Sequence, residues 1–258
     1  MRHKNLLMRY AVLSDIHSNL EALTAVLDAL ASERIGRYLC LGDLVGYGAD
    51  PVACLQRLQA VDAVLIGGNH DLAAVGKVDP RWFNDAARAA VLWTRDQLSF
   101  PELDALRRLP LVATEGPCTL VHGTLNQPER FEYLVDLAQA VDTLRCCRTL
   151  MCFVGHTHVP LALEYDRVQR RILRVFSEPG QLAEVEFQDD AERLRYLVNP
   201  GSVGQPRDGD PRASFALLDT DQRRLSIRRV AYDVAAAQRK IEQAGLPKFL
   251  SERLAIGR

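Results

Sequence analysis

Ala63-Val64-Leu65-Ile66-Gly67-Gly68-Asn69-His70-Asp71 is the run that decides the fold: an apolar, β-prone segment halts at glycines and delivers Asn, His and Asp. Short continuous apolar runs bounded by Gly read as strands buried on both faces. The arrangement recurs along the chain. Tyr10-Ala11-Val12-Leu13 precedes Asp15-Ile16-His17, and Tyr38-Leu39-Cys40-Leu41 precedes Gly42-Asp43. Thr119-Leu120-Val121 leads to His122-Gly123, and Leu150-Met151-Cys152-Phe153-Val154 leads to Gly155-His156-Thr157-His158. In sheets wrapped by helices, ligands sit beyond the carboxyl ends of the strands. Five strand ends therefore bring polar side chains to one rim. Five of the six histidines fall in these motifs, and only His3 is left over. A buried structural His has no need of such placement.

Working outward, the chain reads as strand, helix, strand. Ser18-Asn19-Leu20-Glu21 has the form of a capping box with Ser18 structural; Asn19 either belongs to the cap or points towards the site, with the cap favoured, and Leu20, Leu23, Leu27 and Leu30 follow at helical spacing. Pro51 opens a second helix whose apolar face carries Val52, Leu55 and Leu58. Between the third and fourth motifs the pattern predicts helices over 80–98 and 102–108, then a strand at 111–113. Strands are expected at 161–165, 172–176, 183–187, 194–197, 214–218 and 225–230, separated by charged turns, which reads as antiparallel pairing. A last amphipathic helix at 234–244 ends at Gly245 and Pro247. Residues 1–7 are expected to be a disordered extension, and 8–258 a single domain with a helical insertion at about 72–110.

Composition narrows the classes. Hydrophobic residues make up 48% of 258, enough for a substantial core. With a net charge of −1 and interspersed signs, there is no footprint for general nucleic-acid binding. The six cysteines lack CxxC spacing; Cys40 and Cys152 fall in expected buried strands, where a thiol acts as a small hydrophobe. That usage fits a reducing cytoplasm. No apolar stretch approaches the roughly 20 residues that span a bilayer, and the basic start, interrupted by Arg9 and Asp15, is no signal peptide.

The ordered series Asp15-x-His17, Gly42-Asp43, Gly68-Asn69-His70-Asp71, His122 and Gly155-His156-x-His158 resembles the calcineurin-like metallophosphoesterases, in particular their small bacterial and archaeal phosphodiesterase branch. The Asn199-Pro200-Gly201-Ser202 turn followed by Pro206-Arg207 also recurs there, so the likeness covers the chain from Met8 onward. The resemblance implies an α/β fold, a four-layer α/β/β/α sandwich of two mixed β-sheets flanked by helices. It implies that Asp15, His17, Asp43 and His158 hold one metal, and that Asp43, Asn69, His122 and His156 hold a second, with Asp43 bridging. Imidazole donors suit divalent transition ions, Mn2+ first and Fe, Co, Ni or Zn as alternatives, whereas an oxygen-only set would favour Mg or Ca. Metals roughly 3.5–4 Å apart hold a hydroxide for in-line attack on phosphorus. By the same resemblance His70 faces the substrate without binding metal, as a catalytic donor to the leaving or equatorial oxygen. The expected substrate is a small phosphodiester, with a phosphomonoester or nucleotide as the alternative; neither nucleic acid nor membrane is an expected partner, and a homo-oligomer is left open.

One departure bears on substrate. Ser/Thr protein phosphatases and diadenosine tetraphosphatases carry an Asp-Arg pair shortly after Gly-Asp, whereas this chain reads Gly42-Asp43-Leu44-Val45-Gly46-Tyr47-Gly48. Protein phosphatase activity is thereby disfavoured. The superfamily also contains a retromer scaffold that lost catalysis and its catalytic His, but here His70 and all seven ligand types stand. Arg207, expected to bind substrate, either meets a phosphate or lies in solvent. Tyr47 either lines the pocket or packs within its loop, and Asp71 either starts a helix or orients His70. Trp82, Ala86, Ala89 and Trp93 share a helical face, which is expected to pack on the sandwich rather than stack on a nucleobase. Residues 167–171 read as a solvated hairpin tip.

Overall fold

Alternation inside the first strand sets the layers. In β1 (Arg9–Leu13), Tyr10 and Val12 point into one core while Ala11 and Leu13 point into another, so the run is apolar throughout. The computed structural model describes residues 8–176 and 183–258; the expected extension at 1–7 lies outside them. β2 (Arg37–Cys40) and β3 (Val64–Leu65) continue β1 in parallel, with Ala11 opposite Tyr38 and Leu39 opposite Val64. On the other side, β11 (Ala213–Asp219) pairs antiparallel with β1, followed by β12 (Arg224–Val230) and β9 (Glu184–Glu186).

The second sheet is built likewise. Its parallel centre is β5 (Cys118–Val121), β6 (Met151–Phe153) and β10 (Leu194–Asn199). Antiparallel β4 (Val112–Glu115) closes one side, and β7 (Leu161–Asp166) with β8 (Arg171–Val175) the other. Among the described residues each sheet thus has six strands, in the orders β3-β2-β1-β11-β12-β9 and β4-β5-β6-β10-β7-β8.

Helices cover both outer faces. Val26, Leu27 and Leu30 of α1 (Leu20–Leu30) and Cys54 and Leu58 of α2 (Pro51–Ala60) pack with Ala11 and Leu13 on the first sheet. Ala140 and Leu144 of α6 (Leu137–Cys146) pack with Cys152 and Leu163 on the second. Between the sheets lies a third core that joins Val12, Leu39 and Ile66 to Leu120, Phe153 and Val198. The result is the four-layer α/β/β/α sandwich, with the 167–170 turn exposed at its edge. Among the described residues no helix is long and apolar enough to cross a membrane.

Several local expectations need correction. Asn19, not Ser18, caps α1: its Oδ1 accepts the Ala22 N–H at 3.1 Å, while its Nδ2 donates to the Gly204 carbonyl. Ser18 stands at φ 53°, outside the extended backbone a cap adopts. The helix expected over 80–98 is two pieces. Asp79 caps a 3₁₀ turn at Pro80–Trp82, and Asn84 then starts α4 (Asp85–Gln97) by accepting the Ala87 N–H. Trp82 therefore does not share a helical face with Trp93, and at 87% exposure it does not pack on the sandwich. The helix expected over 102–108 is present as α5 (Phe100–Arg107), and with α3 (Asn69–Ala74) it joins the core over the first sheet. The chain does not end its helices at Gly245: after α7 (Val234–Gln243), Pro247 opens α8 (Lys248–Glu252) and a 3₁₀ turn at Arg253–Ile256.

Candidate metal centre

The sheets deliver side chains to one seam. Asp15 and His17 follow β1, Asp43 follows β2, and Asn69 and His70 open α3 just beyond β3. From the second sheet, His122 follows β5, and His156 and His158 follow β6. The backbone at these ends is unusual. Asp15, His17, Asp43, His156 and His158 all adopt left-handed conformations, with φ from 48° to 66°. Each such residue costs about 1–2 kcal/mol relative to right-handed backbone, and such strain clusters at functional sites. The neighbouring glycines are sterically required: a Cβ on Gly68 would lie 2.1 Å from Asp43 Oδ1, and one on Gly155 would lie 2.1 Å from Ser14 Oγ.

Hydrogen bonding fixes where the lone pairs point. His17 Nδ1 faces the Val45 carbonyl at 3.2 Å, His122 Nδ1 that of Leu41 at 2.8 Å, and His158 Nδ1 that of Gln205 at 2.6 Å. A carbonyl oxygen only accepts, so each Nδ1 donates and each Nε2 presents a lone pair when the ring is neutral. Those lone pairs converge. His17 Nε2 lies 3.2 Å from His158 Nε2, which is 3.2 Å from Asp15 Oδ1. Asp15 Oδ1 is itself buried without a hydrogen-bond partner among the described residues. On the other side His122 Nε2 lies 3.1 Å from His156 Nδ1, 3.1 Å from Asn69 Oδ1 and 3.3 Å from Asp43 Oδ2. Asp43 Oδ2 is also 3.6 Å from His17 Nε2, so this carboxylate belongs to both groups. Buried acceptors facing acceptors are unfavourable unless a cation lies between them. The donor set fits divalent cations in two groups that share Asp43: Asp15, His17, Asp43 and His158, then Asp43, His122 and His156 with Asn69 beside them.

Electrostatics carries the same message. Burial opposes charge on Asp15 and Asp43, yet His158 for Asp15 and His122 for Asp43 hold both carboxyls below their ordinary range. Burial also opposes charge on His122, but Asp43 and then Asp15 lift its imidazole to about 9. Burial dominates for His156, which falls to about 3, and pushes His17 and His158 below the usual histidine value.

His70 sits beside these groups without joining them. Its ring meets His17 edge-on at 4.8 Å, Tyr47 at 4.5 Å and Phe83 at 4.8 Å. Its Nδ1 is buried with no hydrogen-bond partner among the described residues, and a Cβ on Gly46 would approach that atom to 2.5 Å. Burial, reinforced by Arg207 against the pull of Asp43, brings His70 down to about 4, so the ring is neutral near pH 7.

The surrounding residues have specific tasks. Asp71 does not touch His70. Its Oδ1 accepts the Leu44 and Val45 N–H groups at 2.9 and 3.1 Å, and its Oδ2 accepts that of Gly68 at 3.0 Å, which ties the Asp43 loop to the start of α3. Asn199 donates to the Gly155 carbonyl and Thr157 Oγ1, both at 2.9 Å, and Ser202 donates to the Asp15 carbonyl, so the Asn199-Pro200-Gly201-Ser202 turn braces both rims. Tyr47 both packs and lines the site, its ring 4.5 Å from those of His17 and His70. Arg207 is half-buried over Tyr47, donating to its hydroxyl at 3.4 Å and to Gln205 Oε1 at 3.2 Å; its Nε is buried and unpartnered among the described residues. Arg253 was not anticipated: burial and the nearby Arg207 depress its guanidinium, while its Nε donates to the Arg258 oxygen and its guanidinium lies over Phe249.

Residues 8–223 match the Calcineurin-like phosphoesterase superfamily domain. An uncharacterised protein of Methanocaldococcus jannaschii is 39% identical over 254 residues, covering 96% of this chain and 98% of that protein. A metallophosphoesterase from Sphaerobacter thermophilus has a TM-score of 0.82 at 36% identity, over 97% of this chain and 99% of its own. A hypothetical protein from Pyrococcus horikoshii OT3 shares the fold at a TM-score of 0.77 and 23% identity, over 97% and 98% of the two chains. With two sheets whose strand ends meet around a cluster of buried acceptors, the chain belongs to the calcineurin-like phosphoesterase superfamily, a group of metal-dependent phosphoesterases.

Proposed function

We propose that this chain is a dinuclear metal-dependent hydrolase of small phosphodiesters. The observation that carries the reading is the convergence of buried lone pairs on two groups that share Asp43. In this reading Asp15, His17, Asp43 and His158 hold one cation, and Asp43, Asn69, His122 and His156 hold the other. When bound, two divalent ions, Mn2+ by preference, supply Lewis acidity and activate water for in-line attack on phosphorus.

The chain's own residues then divide the remaining work. The backbone carbonyls of Leu41, Val45 and Gln205 hold three imidazoles in one tautomer, so the coordinating nitrogens need no reorganisation. His70, neutral and desolvated between Tyr47 and Phe83, donates a hydrogen bond to the phosphoryl or leaving oxygen as charge develops there. Arg207 replaces its long contact to Tyr47 with a phosphate oxygen of the ester, drawing its cation from a loop distant from the segment where related phosphatases carry one.

The test is turnover of bis-p-nitrophenyl phosphate and p-nitrophenyl phosphate by protein loaded with Mn2+, with bound metal counted in parallel. Faster turnover of the diester with two metals bound is expected. A monoester preference would reverse the substrate class, and two bound metals with no turnover of either would favour a scaffold.

A further inference from the structure

Outward from Asn69, His70 and His156 the site opens into a cavity of about 770 Å3, within the range of small-molecule pockets. Its walls come from opposite sides of the molecule. Trp82 and Phe83 precede α4 on the first sheet's side, and Phe131 and Tyr133 come from the loop after β5 of the second sheet. Phe83 and Phe131 lie deepest, edge-on to His70 and His122 at 4.8 and 6.0 Å.

The outer two aromatics are not satisfied by the fold. Trp82 is 87% exposed although it lines the cavity, and Tyr133 is 47% exposed while its ring stacks on His156 at 3.8 Å and 18°. The loop that presents Phe131 and Tyr133 is held under strain: Gln127 and Phe131 stand at φ 59° and 50°, a conformation an aromatic residue rarely adopts. Polar groups line the same space, among them Lys77, Asn84 and Glu132.

We propose that this cavity takes the planar base of a nucleotidyl ester, stacked between Trp82 and Tyr133, while its phosphate lies against His70 and Asn69. The proposal rests on the phosphoesterase reading above and adds the substrate class. Aromatic faces with polar groups at their margin suit a flat heterocycle with hydrogen-bonding edges. An acyl chain would strip water from Lys77, Asn84 and Glu132 without offering partners, and a sugar or glycerol ester has no flat face to stack. Base stacking on an aromatic side chain is worth roughly tenfold to a hundredfold in binding.

Trp82 and Trp93 are the only tryptophans, so Trp93→Phe makes Trp82 the sole indole reporter. AMP should quench its emission saturably, and ribose 5-phosphate, which lacks the base, should not. A second arm compares thymidine 5′-(p-nitrophenyl phosphate) with methyl p-nitrophenyl phosphate, two esters with the same leaving group. Trp82→Ala should lower the ratio of their kcat/KM values by roughly tenfold or more, and Trp82→Phe should restore most of it. An unchanged ratio, or equal quenching by AMP and ribose 5-phosphate, overturns the proposal. If neither ester is hydrolysed the phosphodiesterase reading falls, while the fluorescence arm still decides whether a base binds at Trp82.

Discussion

Asp71→Ala should destabilise the protein far more than Asp71→Asn, and the difference can be worked from three hydrogen bonds. The carboxylate takes N–H groups from Leu44, Val45 and Gly68, at 2.9, 3.1 and 3.0 Å, in a fully buried setting. Alanine leaves all three donors without an acceptor, at about 1–3 kcal/mol each before relaxation or water entry. Burial and Asp43 push the Asp71 carboxyl up to about 7, so its charge is itself costly and part of the loss is returned when it is removed. A net loss of about 3–5 kcal/mol follows, at the upper end for single substitutions, or roughly 6–20 °C in Tm for a chain of this size. Asparagine keeps an oxygen for Leu44 and Val45 and opposes its amide to the Gly68 N–H alone, for about 1–2 kcal/mol. Urea unfolding in excess chelator measures this without the stability that metal binding would add. If alanine costs under 1 kcal/mol, or asparagine costs as much as alanine, Asp71 does not fasten the Asp43 loop to α3.

Other expectations follow from the site. Asp43→Asn should lose turnover and most bound metal, because one anion serves both groups; two metals with near-normal turnover would exclude the bridge. His70→Ala should keep the parent's metal content while turnover falls roughly 10²–10⁴-fold. A larger loss for alkyl than for nitrophenyl leaving groups indicates proton donation, equal losses indicate stabilisation of phosphoryl oxygens, and no loss removes His70 from the mechanism. Arg207→Ala should raise KM for phosphate esters, by roughly tenfold for one lost charge-assisted hydrogen bond, with metal content unchanged; an unaltered KM would leave Arg207 as a prop for Tyr47.

The sandwich and the cluster at its seam were legible because both are written locally. An apolar run that ends in Gly and a polar residue states, within ten positions, that a buried strand stops and where its ligand lies. Asp15, Asp43, Asn69, His122, His156 and His158 all announce themselves in this way. What stayed hidden depends on distant partners. The loop with Phe131 and Tyr133 has no periodic pattern, and Arg253 comes close enough to feel Arg207 and Tyr47 only because the chain folds back past Pro247. Ser18 satisfied every local rule for a helix cap, but the N–H of Ser18 donates to the Leu44 carbonyl in the loop after the neighbouring strand β2, and with Ser18 left-handed the cap passes to Asn19. Trp82 and Trp93 kept perfect helical spacing, yet Asn84 restarts the helix between them.

The proposed coordination sets draw on both sheets: His158 from the second faces Asp15 and His17 from the first, and His122 and His156 from the second face Asp43 and Asn69. In that reading neither sheet can assemble a complete coordination set before the two have docked. Metal retention would therefore report a chain closed on itself: β9, β11 and β12 of the first sheet follow β5 and β6 of the second in sequence, so neither sheet is complete until residues near 230 are in place. Separation of the two sheets would open both proposed coordination sets, so loss of bound metal would report parting of the layers as directly as any spectroscopic signal.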